Sequence, residues 1–250
     1  MISQAELKRL RALQQKKFRT ESKRFLVQGR KVVSELLGSR FRTETLLASE
    51  EAAAFIRPLA GKVPVQILAS HELEKIGTLE KGNELIAIAH EPEPVGFRAP
   101  AAGELMLALD GIRDPRNMGS LIRIADWFGI ERVLCSYECM EVYNPKAVQS
   151  TMGSIFRVEI RRTDLPTELA QARAAGAHVY IADMDGTPVF EASLQRPAIL
   201  VLGSESHGLT EAAAALASTV VSIPRLGRAE SLNVAMAAAA LCTEFARQRA

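Results

Sequence analysis

The feature that most constrains this chain is a repeated alternation through its last hundred and fifty or so residues. Short unbroken apolar runs, such as Leu105-Met106-Leu107-Ala108-Leu109 and Ala198-Ile199-Leu200-Val201-Leu202, alternate with segments of helical periodicity. A strand that is apolar on both sides must be covered on both faces, which is the signature of a parallel sheet between helix layers. Strands are predicted at 105–109, 132–136, 155–160, 178–182, 198–202 and 219–223, and helices at 117–128, 144–152, 165–175, 209–217 and 231–247. Sheets of this class bind ligands beyond the carboxyl ends of their strands. The loops after Leu109, Leu202 and Ile223 are therefore where chemistry is expected.

A second, smaller α/β part precedes this one. Residues 4–17 carry Ala5, Leu7, Leu10 and Leu13 at roughly helical spacing. Phe25-Leu26-Val27 is predicted as a strand and Arg30–Leu37 as a helix closed by Gly38. Strands at 45–48, 63–68 and 84–89 alternate with helices at 50–59 and 70–76. Between the two parts, residues 91–103 hold Pro92, Pro94, Pro100, Gly96 and Gly103 without periodicity, which reads as a linker. The expected organisation is a domain at 1–92, a linker at 93–103 and a domain at 104–250.

Charge is distributed unevenly along the chain. Residues 1–31 hold ten Lys or Arg against Glu6 and Glu21, a net +8, while the other 219 residues carry 21 basic and 27 acidic groups, a net −6. A basic head on a mildly acidic body suits an anionic partner such as nucleic acid, and equally a solvated basic helix. Lys8, Arg9, Lys16, Lys17 and Arg30 are the candidate contacts there, with Arg113 and Arg116 further along. No apolar run approaches the ~20 residues that span a bilayer, and MISQAELKRL has no apolar core behind its charges. Neither a membrane nor a secretory signal is expected. Three cysteines, Cys135, Cys139 and Cys242, argue against a disulfide framework and for a reducing, cytoplasmic setting. No second pair with zinc spacing accompanies Cys135 and Cys139, so they read as buried small residues, with no metal site expected.

Three loops carry a pattern. No glycines are spaced Gly-x-Gly, and no phosphate-binding Gly-x-x-x-x-Gly-Lys, nucleophile elbow or HExxH occurs, which disfavours a nucleotide hydrolase on this sheet. The first loop runs from Asp110 to Arg123, with Asn117 placed to cap a helix and Gly119 allowing close approach. The second is Gly203-Ser204-Glu205-Ser206-His207-Gly208-Leu209, a carboxylate between two glycines. The third is Ile223-Pro224 followed by Ser231-Leu232-Asn233-Val234-Ala235, read as entering a small-residue helix whose faces suggest a partner subunit.

Together, Asn117-x-Gly119-x-x-x-Arg123, Gly203-x-Glu205-x-x-Gly208-Leu209 and Ser231-Leu232-Asn233-Val234-Ala235 resemble the SpoU (TrmH-like) family of RNA ribose 2′-O-methyltransferases, within the SPOUT superfamily. Asn144-Pro145-Lys146 and Ser150-Thr151-Met152-Gly153-Ser154 are similar to the family's middle segment, and Phe25–Val33 to the ribosomal-protein-like substrate-binding domain often fused ahead of it. The resemblance implies a parallel-sheet domain tied in a deep trefoil knot, a homodimer, and S-adenosylmethionine as methyl donor, with no metal. It implies Leu202, Gly203, Glu205, Gly208, Ile223, Leu232 and Asn233 as cofactor-binding residues, and Arg123, Asn117, Glu205, Ser231 and Asn233 as catalytic ones. Arg123 would act either as general base or as a clamp on the target's phosphate. The acceptor 2′-OH makes the substrate RNA, ribosomal RNA ahead of tRNA because of the N-terminal domain. A non-catalytic RNA-binding or ribosome-assembly factor of the same fold is the alternative.

Overall fold

The computed structural model describes residues 2–204 and 207–248. In chain order the first elements are α1 (Gln4–Ala12), α2 (Lys16–Ser22), β1 (Arg24–Gln28), α3 (Arg30–Leu37), β2 (Thr43–Ala48), α4 (Glu50–Ala60), β3 (Val65–Ile67), α5 (Ser70–Ile76) and β4 (Leu85–His90). They are followed by β5 (Leu105–Leu109), α6 (Pro115–Trp127), β6 (Arg132–Ser136), α7 (Pro145–Ser150), β7 (Glu159–Thr163), α8 (Leu165–Ala174), β8 (His178–Pro188), β9 (Ala198–Leu202), α9 (Glu211–Ala214), β10 (Thr219–Ser222) and α10 (Val234–Arg247). No helix among the described residues is long and apolar enough to cross a membrane.

The chain divides into two compact units, residues 1–93 with 141–157, and residues 94–140 with 158–250. It therefore passes between them three times, after residues 93, 140 and 157. The Pro-rich stretch expected as a linker has no helix or strand. Its segment 94–103 is fastened within the second unit, where Arg161 donates to the Val95 carbonyl and Arg132 to the carbonyls of Arg98 and Ala99. Phe97 packs on that unit's core.

The first unit has a four-stranded sheet in the order β1-β4-β2-β3, antiparallel except for the β2–β3 pair. The predicted helix 4–17 is two helices, and the cause is a single side chain. Arg19 is 1% exposed and turns back onto the end of α1, donating to the carbonyls of Leu13 (2.7 Å) and Gln14 (2.8 Å). Those carbonyls lie just past the last residue of α1, where no amide of the helix can reach them. The other edge of the guanidinium pairs with Glu141, Nε to Oε1 at 2.9 Å. Segment 141–157 is held to this unit by the same pair, by Tyr143 against Phe25 (centroids 4.6 Å apart) and by Phe156 against Phe41 (5.3 Å). This packing explains a second difference from expectation. Residues 154–156 are a 3₁₀ turn, and the strand predicted from 155 begins only at Glu159. The apolar run Ile155-Phe156 is used for burial rather than for a sheet.

The second unit has a six-stranded, all-parallel sheet in the order β10-β8-β9-β5-β6-β7. Every residue of β5 and β9 is buried, as the unbroken apolar runs require. Met106, Ala108, Ile199 and Val201 form one side of the core with Leu165 and Leu169 of α8. β8 is longer than predicted and bulges before it re-pairs with β10. Gly186 permits this, because a Cβ there would lie 2.7 Å from the backbone carbons of Val220 and Val221.

The buried Arg19–Glu141 pair gives a stability prediction. Removing one partner of a buried pair strands the other, at a cost of about 3 kcal/mol. The more open Arg24–Glu44 pair (2.9 Å) is worth less than about 1 kcal/mol. Urea denaturation of Glu141→Ala should therefore show a clear loss of stability, and Glu44→Ala almost none. Equal losses would refute the assignment of the corner to Arg19.

Candidate active site

Parallel pairing brings the first two motif loops together. β5 and β9 run in register from Leu105 opposite Ala198 to Leu109 opposite Leu202, and the Asp110 amide continues the ladder by donating to the Leu202 carbonyl at 2.9 Å. Both loops thus leave the sheet at the same level. Asp110 is 2% exposed, and its Oδ2 accepts from the Thr210 amide and from the Thr210 hydroxyl, each at 2.8 Å. Thr210 in turn caps α9. A buried carboxylate at a strand end therefore fixes the far end of the second motif.

The second loop closes on itself. Ser204 and Gly208 exchange backbone hydrogen bonds of 3.0 and 2.9 Å, and the Ser204 hydroxyl accepts from the His207 amide at 3.1 Å. A Cβ on Gly203 would fall 2.4 Å from the Gly208 carbonyl carbon. Gly203 is thus required by the loop's own closure, whatever approaches from outside. Glu205, expected both to bind cofactor and to act in catalysis, lies outside the described residues, as does Ser206. A recess of about 230 Å³ opens here, lined by Asp110, Gly111, Arg113, Ser204 and Gly208 among others.

Two helix starts differ from expectation. Asp114, not Asn117, caps α6, its Oδ1 accepting from the amides of Arg116 (2.8 Å) and Asn117 (2.9 Å), with Pro115 at the first helical position. The Asn117 side chain is free of that task. Its Oδ1 accepts from Nδ2 of Asn233 at 2.9 Å, which joins the first motif to the third. The final helix begins at Val234 rather than 231, because Asn233 is its cap and accepts from the Ala235 amide at 3.0 Å. Ser231 and Leu232 lie in the preceding loop, both exposed.

The remaining candidates fall as follows. Leu202 is buried at the end of β9, and Ile223 is half-buried just after β10. Arg123 is exposed on α6, on one helical stripe with Arg116, Ser120 and Trp127. Arg113 is exposed at the recess. Lys8, Arg9, Lys16 and Lys17 are exposed on α1 and α2 of the first unit. Arg30 already faces Glu51 (2.6 Å) and Glu84 (3.5 Å), which raise its pKa, the Glu51 hydrogen bond most.

Sequence reasoning missed Asp110 and Cys139 as parts of this site. All three cysteines are buried and free, but Cys139 does more than fill space. Its Sγ donates to the Leu109 carbonyl (3.2 Å) and accepts from the Ile112 amide (3.3 Å), pinning the first loop from below. Hydrogen bonding from Cys135 lowers the Cys139 pKa to about 7, against the upward push of burial, while Cys135 itself is held well above its usual value. Asp110 left one signal in the sequence, a lone carboxylate directly after five apolar residues. Among the described residues, no group of three or more His, Cys, Asp or Glu is placed to hold a metal ion.

The SpoU rRNA Methylase family model matches residues 104–243, and the MRM3-like substrate binding domain matches residues 4–87. The chain is 30% identical over 237 residues to 23S rRNA (guanosine(2553)-2′-O)-methyltransferase RlmP of Bacillus subtilis, covering 94% of each chain. It is 32% identical over 244 residues to 23S rRNA (uridine(2479)-2′-O)-methyltransferase of Streptomyces viridochromogenes, covering 92% of this chain and 85% of that one. The crystal structure of the SpoU methyltransferase AviRb from the latter organism, in complex with AdoMet, superposes with a TM-score of 0.88 at 30% identity, over 99% of this chain and 98% of the other. With a family model over more than half of the chain and relatives of 30% identity or more along nearly all of it, the chain belongs to the SpoU rRNA methylase family.

Proposed function

We propose that this protein methylates a ribose 2′-OH of 23S rRNA, using S-adenosylmethionine, and works as a cytoplasmic homodimer whose second unit is tied in a trefoil knot. The observation that carries the reading is the hydrogen-bonded joining of all three motifs beyond the sheet, through Asp110–Thr210 and Asn117–Asn233. The full-length similarity to enzymes named for this reaction on 23S rRNA supports it.

The residues present fit the methyl donor. The loop after β10 leaves Leu226 99% and Leu232 50% exposed, apolar side chains of a kind that suits the flat face of an adenine. Backbone groups at Leu202, Gly203, Gly208, Ile223 and Leu232 would hold the adenosine portion, with Asn233 toward the reacting end. When bound, S-adenosylmethionine supplies an electrophilic methyl carbon. What remains for the protein is to place the 2′-oxygen in line, while its proton leaves to water. Arginine stays protonated at neutral pH and its fork of donors matches phosphate. Arg123 is therefore assigned to clamp the target's phosphate and orient the hydroxyl, with Arg113 and Arg116 nearby on the same loop and helix. Asn117 acts as a positioning residue through Asn233.

The dimer reading rests on what the helices leave uncovered. Trp127 at the end of α6 is 85% exposed and Met236 on α10 is 66% exposed. Packing two copies through these helices would remove both from water. Trp127→Glu with Met236→Glu should give a monomer near 27.2 kDa by light scattering. A wild-type chain that is itself an active monomer would contradict the dimer.

The functional reading is tested by transfer of labelled methyl to unmodified 23S rRNA and to tRNA. Label should enter 23S rRNA as a 2′-O-methyl nucleoside. Arg123→Ala should lower the single-turnover rate at least about a hundredfold, with donor affinity unchanged. Arg123→Lys should retain part of the rate as a point charge. Label entering tRNA alone would overturn the choice of substrate, and a fully active Arg123→Ala would overturn the role of Arg123.

A further inference from the structure

The first unit contains a cleft that the methyl-transfer chemistry does not use. It lies between α1 and α2, has a volume of about 470 Å³, and is lined by Lys8, Arg9, Leu13, Phe18, Glu21 and Arg24 among others. Its size is in the range of pockets that take small ligands. The Arg19 corner builds it, since Arg19 turns into the unit and locks α2 against the end of α1. The preceding residue, Phe18, is left 38% exposed at the cleft.

The charges around the ring are not balanced within the fold. Glu21 is offset by Lys17, 4.0 Å away, and Lys17 Nζ also lies 6.0 Å from the Phe18 ring centre. Arg24 is engaged with Glu44 at 2.9 Å. Among the described residues Arg9 reaches only the half-buried Glu6, at 3.9 Å, and Lys8 has no ion pair. What remains is a partly exposed aromatic ring in a cleft also lined by Ala5, Ala12 and Leu13, with Lys8 and Arg9 among the lining cations. That chemistry matches an unstacked base joined to a phosphate, because every base has a face to stack and every linkage a negative charge. A base-paired nucleotide has both faces covered by its neighbours and cannot use the ring.

We propose that the α1–α2 cleft binds one unpaired nucleotide of the RNA substrate, its base on Phe18 and its phosphate between Lys8 and Arg9. The proposal rests on the RNA-methyltransferase reading above and adds where the first unit grips the RNA. Part of the basic head is thereby assigned to the ligand, and part, through Arg19, Arg24 and Arg30, to internal structure.

The test uses the full chain and a fluorescein-labelled single-stranded RNA 12-mer of mixed sequence, followed by anisotropy over a salt series. The same strand in a duplex is measured alongside. Phe18→Leu keeps an apolar side chain and removes the stacking face, whereas Phe18→Tyr keeps the face. Leucine should weaken single-strand binding at least about fivefold with no change in salt slope, and tyrosine should hold near wild type. Lys8→Gln with Arg9→Gln should lower the salt slope by ~0.7 per lost phosphate contact. Wild-type affinity in Phe18→Leu overturns the proposal, as does a duplex that binds as tightly as the single strand. Methyl transfer by the wild-type chain is assayed in parallel. Transfer with Phe18→Leu bound normally removes the cleft and leaves the function standing. Phe18-dependent binding without any transfer keeps the cleft and removes the methyltransferase reading.

Discussion

The buried carboxylate of Asp110 is the interaction on which the candidate site depends. It stands where two parallel strands end together, and it accepts both the amide and the hydroxyl of Thr210. A carboxylate taken out of water must be satisfied by hydrogen bonds, and charge-assisted ones are the stronger kind. Thr210 is a hundred residues away in sequence, so this latch converts strand register into a fixed second loop. Cys139 supports the first loop from below through Leu109 and Ile112. Asn117 and Asn233 then draw in the start of the final helix. Three segments, each unremarkable alone, become one site by side-chain hydrogen bonds beyond the sheet.

Arg19 has a comparable part in the first unit. It ends α1, turns the chain into α2, and binds Glu141 from a segment that the sequence places within the methyltransferase domain. Because segment 141–157 belongs to the first compact unit, the two units share chain rather than meeting at a single hinge. A chain cut near Gly103 would leave Tyr143 and Phe156 without the rings they pack against. The catalytic part is therefore not expected to stand alone as cleanly as a single linker would suggest.

Much of this was legible in the sequence because burial on both faces leaves a mark. β5 and β9 fall where their apolar runs begin and end, and β6, α3 and α5 match their predicted bounds. The motif loops were legible as spacings. What could not be read is which polar side chain takes which partner. Asn117 looks like a helix cap and Ser231 like a helix start in a one-dimensional pattern, but Asp114 caps α6 and Asn233 caps the final helix. The choice depends on Pro115 starting the helix and on where Asn233 must reach. The strand expected at 155 failed for a different reason. Phe156 packs instead on Phe41 of the same compact unit, more than a hundred residues earlier in sequence, a contact with no local signature. Gly203 was legible as part of a motif, but its closest constraint, Gly208 of the same loop, was not.

The central claim is that the Asp110–Thr210 latch shapes the second loop for the methyl donor. Its direct test is calorimetric titration of S-adenosylmethionine into Asp110→Ala, with circular dichroism confirming that the parallel sheet persists. Loss of two charge-assisted hydrogen bonds at the loop should weaken donor binding about tenfold or more while the fold remains. A folded Asp110→Ala that binds S-adenosylmethionine as tightly as the wild-type chain would contradict the account.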